Sequence, residues 1–428
     1  MTTTLLNAAV ERAKIERLLP LRPQSKLARS GDSGPPLCLV DALSLGSTSA
    51  GQAYIAIVQW GGRQIVVPAL VIEGELVRDP GIAHILRAGL YGNFEVEVFN
   101  GGIPAGSMRE LEVDQSNDSV IAAESVMVKW QLDAVVSPAS ERLRALNGRE
   151  ITPQLHAIVT WKSENGQKRT ILTAVEYVKQ ATDGWTWAVE LVRSLALGEA
   201  VDPIGPLRTL GEMTANMHSV FAQHGVGQLT AADLAVLHAQ SIADLQKAIH
   251  VIDGPEGERL RARTDAITDQ LDQLRTMDST PSIDIHGDYH IGQVLRASEG
   301  GSDRFAIVDF DGSPALPPTE RMLPAPAARD IAGMLASIDH VARVVNFRTE
   351  KIDTSIAVDW IPKAQQAFIE TYVEALTRSG NLEIFDKRLI SPLIINQECR
   401  EYIYAAESLP HWRYVPDAVL TGMFPKEN

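Results

Sequence analysis

The chain has 428 residues, of which 45% are hydrophobic and 22% are charged, as in globular proteins large enough for two or three domains. Its formal net charge of −15 argues against a nucleic acid or an anionic membrane as the main partner, because both require clustered Lys and Arg side chains. Cys38 and Cys399 are the only cysteines and lie far apart, which excludes a disulfide framework and favours a reducing compartment.

No stretch of the sequence has the features of a targeting or membrane segment. Residues 1–15 alternate apolar and charged side chains and lack a continuous apolar region. No apolar run approaches the roughly 20 residues that a membrane span requires. We therefore expect a cytoplasmic protein, acting as a monomer on a small molecule.

Residues 1–88 are expected to form an N-terminal β-rich cap subdomain. A short amphipathic helix precedes a stretch rich in Pro, Gly and Ser, and strand-like runs follow at 37–40, 53–59 and 64–67. The Gly61-Gly62 pair between the last two runs is a hairpin signal. Because no catalytic constellation occurs here, this part resembles an appended module.

Residues 89–181 are expected to form a β-rich lobe that binds a nucleotide. A polar turn at 114–119 offers backbone N–H groups and hydroxyls to phosphate, with Ser116, Asn117 and Ser119 as the candidate contacts. Lys129 ends the next strand-like run and can reach the α- and β-phosphates. A surface hairpin with a solvated lysine explains the same pattern, so both interpretations stay open.

A second candidate nucleotide contact is the apolar strand predicted at 170–178. A strand that leaves one lobe for another can present its backbone N–H and C=O groups to an adenine edge. Glu176 and Val178 occupy the positions where this can happen. An ordinary buried strand is an equally good explanation for either residue.

Residues 182–428 are expected to form a helical lobe with the catalytic loop and the sugar site. The sequence Ile-His-Gly-Asp-Tyr-His-Ile-Gly-Gln at 285–293 is followed by Ile-Val-Asp-Phe-Asp at 307–311. Asp288 can orient or deprotonate a substrate hydroxyl, while the amide oxygen of Gln293 and the carboxylate of Asp309 can hold Mg²⁺ on nucleotide phosphates. This pattern favours phosphoryl transfer to a hydroxyl group.

Local structure is expected to bring these residues together. The apolar runs 294–297 and 305–308 flank a turn rich in Gly and Ser, which predicts a hairpin that returns Asp309 to Gln293 and Asp288. Further on, Asp330 lies near the start of a predicted helix. We interpret it as a capping carboxylate that satisfies free N–H groups and favours the positive end of the helix dipole, a position that would also place it near the catalytic loop.

The last segment has features of a sugar-binding surface. Glu398 and Glu401 share a helix face and precede Trp412. Carboxylates accept paired sugar hydroxyls, and a Trp ring stacks on the C–H face of a sugar. A solvated acidic face with a core Trp is an equally favoured alternative.

Several segments, in order along the chain, together resemble the maltokinase family within the aminoglycoside-phosphotransferase-like kinases. They are 114–119 (DQSNDS), 126–130 (VMVKW), 286–293 (HGDYHIGQ), 309–312 (DFDG) and 329–334 (RDIAGM). The resemblance implies an α+β, bilobal, protein-kinase-like fold with an N-terminal cap, ATP and Mg²⁺ as co-substrates and a free sugar as acceptor. By position it implies that Asp288 is the catalytic base, that Gln293 and Asp309 bind the metal and that Lys129 binds the phosphates. His290, in the same loop, is a further candidate sugar contact.

Departures from maltokinases make the chain more similar to the glucosamine kinase branch of these enzymes. They include Asp284, Asp311, Ser313 and the pair Glu398 and Glu401. Glucosamine carries an ammonium group, and a cation in a closed cleft needs an opposing carboxylate. We expect glucosamine to be converted to glucosamine 6-phosphate.

Two alternatives remain at this stage. One is maltokinase activity, which converts maltose to maltose 1-phosphate and shares the ATP-side features. The other is a catalytically inactive binding protein with a kinase fold, which the presence of Lys129, Asp288, Gln293 and Asp309 disfavours.

Overall fold

The computed structural model describes residues 2–19, 36–111 and 117–425, so Ser116 of the predicted phosphate-binding turn lies outside the described residues. The chain divides into two compact units. The first unit contains Met1–Gln180 and Leu316–Arg321, and the second contains Ala181–Ala315 and Met322–Asn428. Among the helices of the described ranges, none has the length and apolarity that crossing a membrane requires.

Two antiparallel sheets make up most of the first unit. One has four strands in the order β1-β2-β3-β4, and the other has seven in the order β5-β6-β10-β11-β9-β8-β7. The strands are β1 Cys38–Ser47, β2 Gln52–Trp60, β3 Arg63–Ile72, β4 Glu75–Arg78, β5 Gly89–Tyr91, β6 Phe94–Val98, β7 Met108–Glu110, β8 Asn117–Ala122, β9 Val126–Gln131, β10 Leu155–Lys162 and β11 Lys168–Glu176. The helices are α1 Thr2–Arg12, α2 Ile15–Leu18 and α3 Ala139–Leu146, with a 3₁₀ turn at Pro80–Ile85.

The four-stranded sheet is buried on both faces. Strand β2 alternates its side chains with period two, so Tyr54 faces the side covered by α1 and α2, whereas Ile55 and Ile57 face the seven-stranded sheet. On that second side they join one hydrophobic core with Phe94 and Trp130. Residues 1–88 therefore share a core with the strands that follow, and the boundary at residue 88 stays a prediction. The hairpin predicted at Gly61-Gly62 is confirmed as the connection between β2 and β3.

The second unit is mainly helical. Its helices are α4 Gly184–Ala196, α5 Gly205–Ala222, α6 Ala231–Val251, α7 Gly254–Arg261, α8 Thr264–Asp272, α9 Ala328–Arg348, α10 Thr354–Ser379, α11 Ile390–Ser408 and α12 Tyr414–Met423. Two small sheets pair β12 Gly227–Thr230 with β13 Ser279–Ser282, and β14 Val294–Glu299 with β15 Ser302–Ile307. Short 3₁₀ turns occur at Ile291–Gln293 and Pro410–Trp412.

The hairpin predicted after the catalytic loop is confirmed. Val294 pairs with Ile307 at its open end and Glu299 with Ser302 at its closed end. Gly300 and Gly301 form the turn with φ values of +59° and +88°, a region in which most residues are strained and glycine is not. The hairpin therefore returns the chain to the catalytic loop.

Helix α9 packs closely against the catalytic loop. A Cβ atom at Gly333 would lie 2.5 Å from the carbonyl oxygen of Tyr289, which is closer than van der Waals contact permits. Glycine at this position therefore lets the helix approach the loop backbone directly.

Candidate active site

His286 anchors the catalytic loop to the β14–β15 hairpin. Its Nε2 lies 2.9 Å from the carbonyl oxygen of Val308, and its Nδ1 accepts a hydrogen bond from the backbone N–H of Asp288 at 3.3 Å. Both contacts are satisfied by one neutral tautomer, with the proton on Nε2. The ring thus sets the distance between the residue before Asp309 and the backbone of Asp288.

The structure brings Asp288, Gln293 and Asp309 together. The Gln293 side chain hydrogen-bonds to Asp288, and its Nε2 lies 3.5 Å from Asp309 Oδ2. The backbone oxygen of Gln293 also accepts from the Val308 N–H at 2.9 Å. Asp309 has a φ of +66°, in the left-handed region that aspartate tolerates better than most residues. The three side chains assigned to proton transfer and metal binding therefore share one small volume.

The environment of Asp288 raises the pKa of its carboxyl group to about 7. Burial is the largest cause, followed by the negative charges of Asp309 and Asp330, while Arg400 and the hydrogen bond from Gln293 oppose the rise. A metal cation beside Asp309 would oppose it further. A carboxylate with a pKa near neutrality can accept a proton from a hydroxyl and release it again.

The donor set at Gln293 and Asp309 suits Mg²⁺. An amide oxygen and a carboxylate are hard ligands, and Mg²⁺ is commonly held by one or two such groups together with substrate phosphates. Within the described ranges no group of three or more His, Cys, Asp and Glu side chains could hold a metal ion by itself. The amide oxygen of Gln293 and the carboxylate of Asp309 therefore fit Mg²⁺ by their chemistry.

Asp330 does not cap its helix, so the capping interpretation is wrong. The N-cap position of α9 is Ala327, and the Asp330 carboxylate instead accepts the backbone N–H groups of His286 at 2.8 Å and Gly287 at 2.9 Å. It also accepts from His218 Nε2 at 3.1 Å. Asp330 lies within the first turn with its side chain turned to the loop, where these three donors compete successfully with the helix's own N–H groups.

The hydrogen bonds that the Asp330 carboxylate accepts keep it in its ionised form. Burial by itself raises the pKa of this carboxyl group, but the hydrogen bonds from His218 and the backbone reverse the effect and hold the pKa below its usual value. His218 is fully buried on α5, and its Nδ1 contacts the hydroxyl of Tyr372 at 2.9 Å. An ionised, fully buried carboxylate thus fixes the start of the catalytic loop.

His290 begins the 3₁₀ turn Ile291–Gln293. Its Nδ1 accepts the backbone N–H of Gly292 at 3.1 Å. Burial lowers the pKa of its imidazole to about 4, so the ring is neutral near pH 7. The contact with a sugar that we assigned to His290 stays a prediction.

The predicted sugar-binding residues form one connected group on α11 and the turn after it. Trp412 Nε1 donates to Glu401 Oε2 at 3.0 Å, and the ring of His340 meets the Trp412 ring edge-on with centroids 5.9 Å apart. His340 Nε2 lies 2.8 Å from Glu398 Oε1. Trp185 also packs on Trp412, at a centroid distance of 5.8 Å.

Glu398 and Glu401 differ in their surroundings. Glu401 is half-buried, whereas Glu398 is 0% exposed and its Oε2 has no hydrogen-bond partner among the described residues. The alternative of a solvated acidic face is therefore wrong for Glu398. Burial by itself lowers the pKa of His340, but the carboxylate of Glu398 raises it to about 9, which makes this a buried imidazolium–carboxylate pair near pH 7.

In the first unit, Ser119 and Lys129 are directly opposite each other on β8 and β9, and Asn117 is opposite Gln131. Side chains of such pairs point to the same face, so Asn117, Ser119 and Lys129 lie on one side of the sheet. Asn117 and Ser119 are buried there. The predicted phosphate contacts, apart from Ser116, thus share a sheet face.

The predicted adenine contacts follow at the end of β11. Glu176 is its last residue, and the backbone N–H of Tyr177 donates to the Ser125 oxygen at 2.8 Å. Val178 is buried just beyond the strand. The roles assigned to Glu176 and Val178 stay predictions.

Sequence reasoning missed the supporting residues His218 and His340. His218 shares a helix with the apolar stripe of Met213, Met217 and Phe221, and a histidine within such a stripe indicates a buried polar contact. His340 follows Asp330 on the same helix, α9, but its partner Glu398 lies 58 residues away. No local pattern identifies that pair.

Comparison with known proteins gives consistent results. A glucosamine kinase from Streptacidiphilus jiangxiensis is 42% identical over 342 residues, covering 78% of this chain and 77% of that protein. A glucosamine kinase from Mycolicibacterium smegmatis is 36% identical over 340 residues, covering 78% and 83%. A solved structure of glucosamine kinase in complex with glucosamine, ADP and inorganic phosphate superposes with a TM-score of 0.86 at 36% identity, covering 98% of this chain and 99% of that chain. No family model matches the sequence. The predicted fold class, α+β and kinase-like, is confirmed.

Proposed function

This chain belongs to the glucosamine kinase family, and from that membership we propose that it transfers the γ-phosphoryl group of ATP to a hydroxyl group of glucosamine. The product that we propose is glucosamine 6-phosphate. Relatives that are glucosamine kinases favour this substrate over maltose, the acceptor of the alternative considered above.

The observation that carries the proposal is the grouping of Asp288, Gln293 and Asp309 on a loop held by His286 and Asp330. Phosphoryl transfer needs little covalent chemistry from the protein, and positioning together with charge stabilisation supplies most of the rate. Each hydrogen bond that fixes the loop removes a motion that would misplace the acceptor hydroxyl.

In the reaction, Asp288 accepts a hydrogen bond from the primary hydroxyl of glucosamine and takes its proton as that oxygen bonds to the γ-phosphorus. The bond between the γ-phosphorus and the bridging oxygen of ATP breaks, and ADP leaves with the electron pair. The side-chain oxygens of Gln293 and Asp309 would hold Mg²⁺, which would offset the negative charge of the phosphates. Lys129, Asn117, Ser119 and Ser116 are proposed to bind the phosphates, and the backbone of Glu176 and Val178 to bind adenine.

Glucosamine recognition is proposed to rest on Glu398, Glu401 and Trp412, with His290 as an additional contact. The Trp412 ring supplies an apolar wall, and its indole N–H is already satisfied by Glu401. The buried Oε2 of Glu398 lacks a donor among the described residues, and a sugar ammonium would supply one. A neutral sugar can offer only an uncharged O–H or amide N–H donor in its place.

The proposal is tested by measuring ADP release with glucosamine, glucose, N-acetylglucosamine and maltose. Acetylation of the amine removes a charge-assisted hydrogen bond worth about 1.5–3 kcal/mol, so we expect kcat/KM for glucosamine to exceed that for N-acetylglucosamine by about tenfold or more. Chelation of divalent cations should abolish ADP release. If maltose is the best acceptor, maltokinase activity replaces the proposal.

The matched control for this panel is Asp288→Asn, which keeps the size of the side chain and removes its charge. We expect kcat to fall below about a tenth of the wild-type value, because a smaller loss leaves only about 1.4 kcal/mol of transition-state stabilisation to the carboxylate. Retention of more activity would show that Asp288 is not the base.

A cytoplasmic location and a monomeric state belong to the same proposal. ATP is available in the cytoplasm.

A further inference from the structure

Arg78 connects the four-stranded cap sheet to both strands that border the predicted phosphate-binding turn. It is the last residue of β4, and its Nε donates to Asp118 Oδ2 on β8 at 2.8 Å. Its Nη1 donates to Glu110 Oε1 on β7 at 3.1 Å. Glu110 precedes the predicted turn and Asp118 lies within its far end, so one guanidinium group holds both sides of it.

The Arg78–Asp118 pair is buried. The Arg78 side chain is 12% exposed and that of Asp118 is 3% exposed, whereas Glu110 is 61% exposed. A buried ion pair is rarely more stable than apolar residues of the same volume, and its better-attested use is to select one arrangement of the chain. The burial of this ion pair therefore favours a role in placing the strands over a role in stabilising the fold.

The pair acts on the side of the sheet opposite the predicted ATP contacts. Asp118 lies between Asn117 and Ser119 on β8, and successive side chains of a strand point to opposite faces. Asp118 faces Arg78, so Asn117 and Ser119 face away from it, together with Lys129. The cap thus holds β8 from behind its proposed phosphate-binding face.

Strand β9 is held from the same corner of the cap. Trp130 is adjacent to Lys129, and its Nε1 donates to the carbonyl oxygen of Pro80 at 3.1 Å. Pro80 begins the 3₁₀ turn two residues after Arg78. A single corner of the cap, formed by Arg78 and Pro80, therefore contacts both strands that carry proposed phosphate contacts.

We propose that Arg78 is a positioning residue for nucleotide binding, through which the cap sets the placement of Asn117, Ser119 and Lys129. This inference rests on the proposed function, because it takes these three side chains as ATP contacts. It gives residues 1–88 a role in the reaction although they contain no catalytic constellation.

The test compares Arg78→Met, Arg78→Lys and the double variant Arg78→Met/Asp118→Leu with the wild type. For each, KM for ATP, KM for glucosamine, kcat, the thermal midpoint and the dissociation constant for ADP are measured. We expect Arg78→Met to raise KM for ATP and the ADP dissociation constant about tenfold while KM for glucosamine changes less than about twofold. Arg78→Lys keeps a charge but not the paired geometry and should recover only part of the affinity.

The double variant separates placement from stability. Since it removes both members of the buried Arg78–Asp118 pair, its thermal midpoint should recover relative to Arg78→Met, but its affinity for ADP should stay low. Recovery of ADP affinity together with stability would overturn the inference. If Arg78→Met does not fold, Glu110→Gln tests the inference in its place. We expect its KM for ATP to rise about twofold at an unchanged thermal midpoint. An unchanged KM for ATP in Glu110→Gln would overturn the inference.

The matched control is Arg63→Met. Arg63 is also a cap arginine, and its Nε donates to Asp133 Oδ1 at 2.9 Å, beyond the end of β9 and outside strands β7 and β8. We expect its ADP affinity to be unchanged, and an equal loss in both variants would show a general effect of cap attachment and overturn the inference. Failure of the wild type to bind ADP would overturn the proposed function as well. If the wild type binds ADP and Arg78→Met binds it with the same affinity, this inference alone is overturned.

Discussion

Asp288 and Glu398 are both carboxylates assigned to the sugar, but the residues around each of them give the two side chains different properties. Burial and the neighbouring carboxylates of Asp309 and Asp330 raise the pKa of Asp288 to about 7, although its hydrogen bond from the Gln293 amide opposes the rise. Glu398 is fully buried and faces His340, whose pKa rises to about 9. Asp288 can therefore exchange a proton near neutral pH, whereas Glu398 keeps a fixed partner of opposite charge.

The raised pKa of His340 predicts a pH-dependent stability. Unfolded histidine has a pKa of about 6.5, so between that value and about 9 the folded protein binds a proton that the unfolded chain has lost. The stabilisation is fully present below about pH 6.5 and is lost as the pH rises through about 9. Urea unfolding of the wild type and His340→Gln at about pH 6 and about pH 9 should therefore show a smaller difference in stability at the higher pH.

His238→Gln is the matched control for that measurement. His238 Nε2 lies 2.7 Å from Asp272, a carboxylate that is 48% exposed and therefore screened by solvent. A difference between wild type and His340→Gln that is the same at both pH values would contradict the assignment of a charged His340.

At the level of elements, helix α9 serves as the support for the catalytic loop. Asp330 takes two backbone N–H groups at the start of the loop, and Ser337 Oγ accepts the N–H of Ile291 at 3.0 Å near its end. Between these points Gly333 lets the helix touch the loop backbone at Tyr289. The loop has little regular structure of its own, so its shape depends on donors satisfied by a neighbouring helix.

Asp330→Asn is expected to reduce both stability and activity. The amide has one acceptor oxygen where the carboxylate serves three donors, so buried N–H groups lose their partner at about 1.5–3 kcal/mol for each charge-assisted bond. We expect a lower thermal midpoint and a kcat reduced by about tenfold or more, since Asp288 follows these donors directly. Asp359→Asn, on the exposed side of α10, removes the same charge and should change neither quantity. Equal effects of the two variants would show that net charge alone is responsible.

For the whole molecule, the two sheets of the first unit depend on each other. Ile55 and Ile57 of the cap are fully buried in the same hydrophobic core as Phe94 and Trp130 of the seven-stranded sheet. Removing the cap would expose that core to water, and each fully buried aliphatic side chain contributes about 1.5–3 kcal/mol. The cap is therefore part of the folding unit that carries the proposed nucleotide contacts.

A chain that begins at residue 89 is accordingly expected to lose cooperative unfolding, measured by near-ultraviolet circular dichroism during heating. Point variants give the same test without truncation. Ile57→Ala should cost about 2–5 kcal/mol, because it leaves a cavity in the shared core. Val77→Ala, at a position on β4 that is 42% exposed, should change stability by no more than about 0.5 kcal/mol. A truncated chain with a sharp transition would show an independent second sheet.

The amino-acid sequence by itself determined the catalytic hairpin and the grouping of Asp288, Gln293 and Asp309. These residues are close in sequence, and the features that connect them are local: apolar runs with strand propensity and a Gly-rich turn that permits positive φ values. The motif and its resemblance to a kinase family could therefore be recognised without any long-range information.

Only the tertiary structure decided how that loop is supported and how the cap is used. Asp330 meets the loop 43 and 44 residues away, His340 meets Glu398 58 residues away and Arg78 meets Asp118 40 residues away. A buried polar group takes whichever donor or acceptor packing places beside it, and packing depends on how distant helices and strands cross. For that reason the capping interpretation of Asp330 was locally reasonable and wrong, and no sequence pattern indicated the partners of His340 or Arg78.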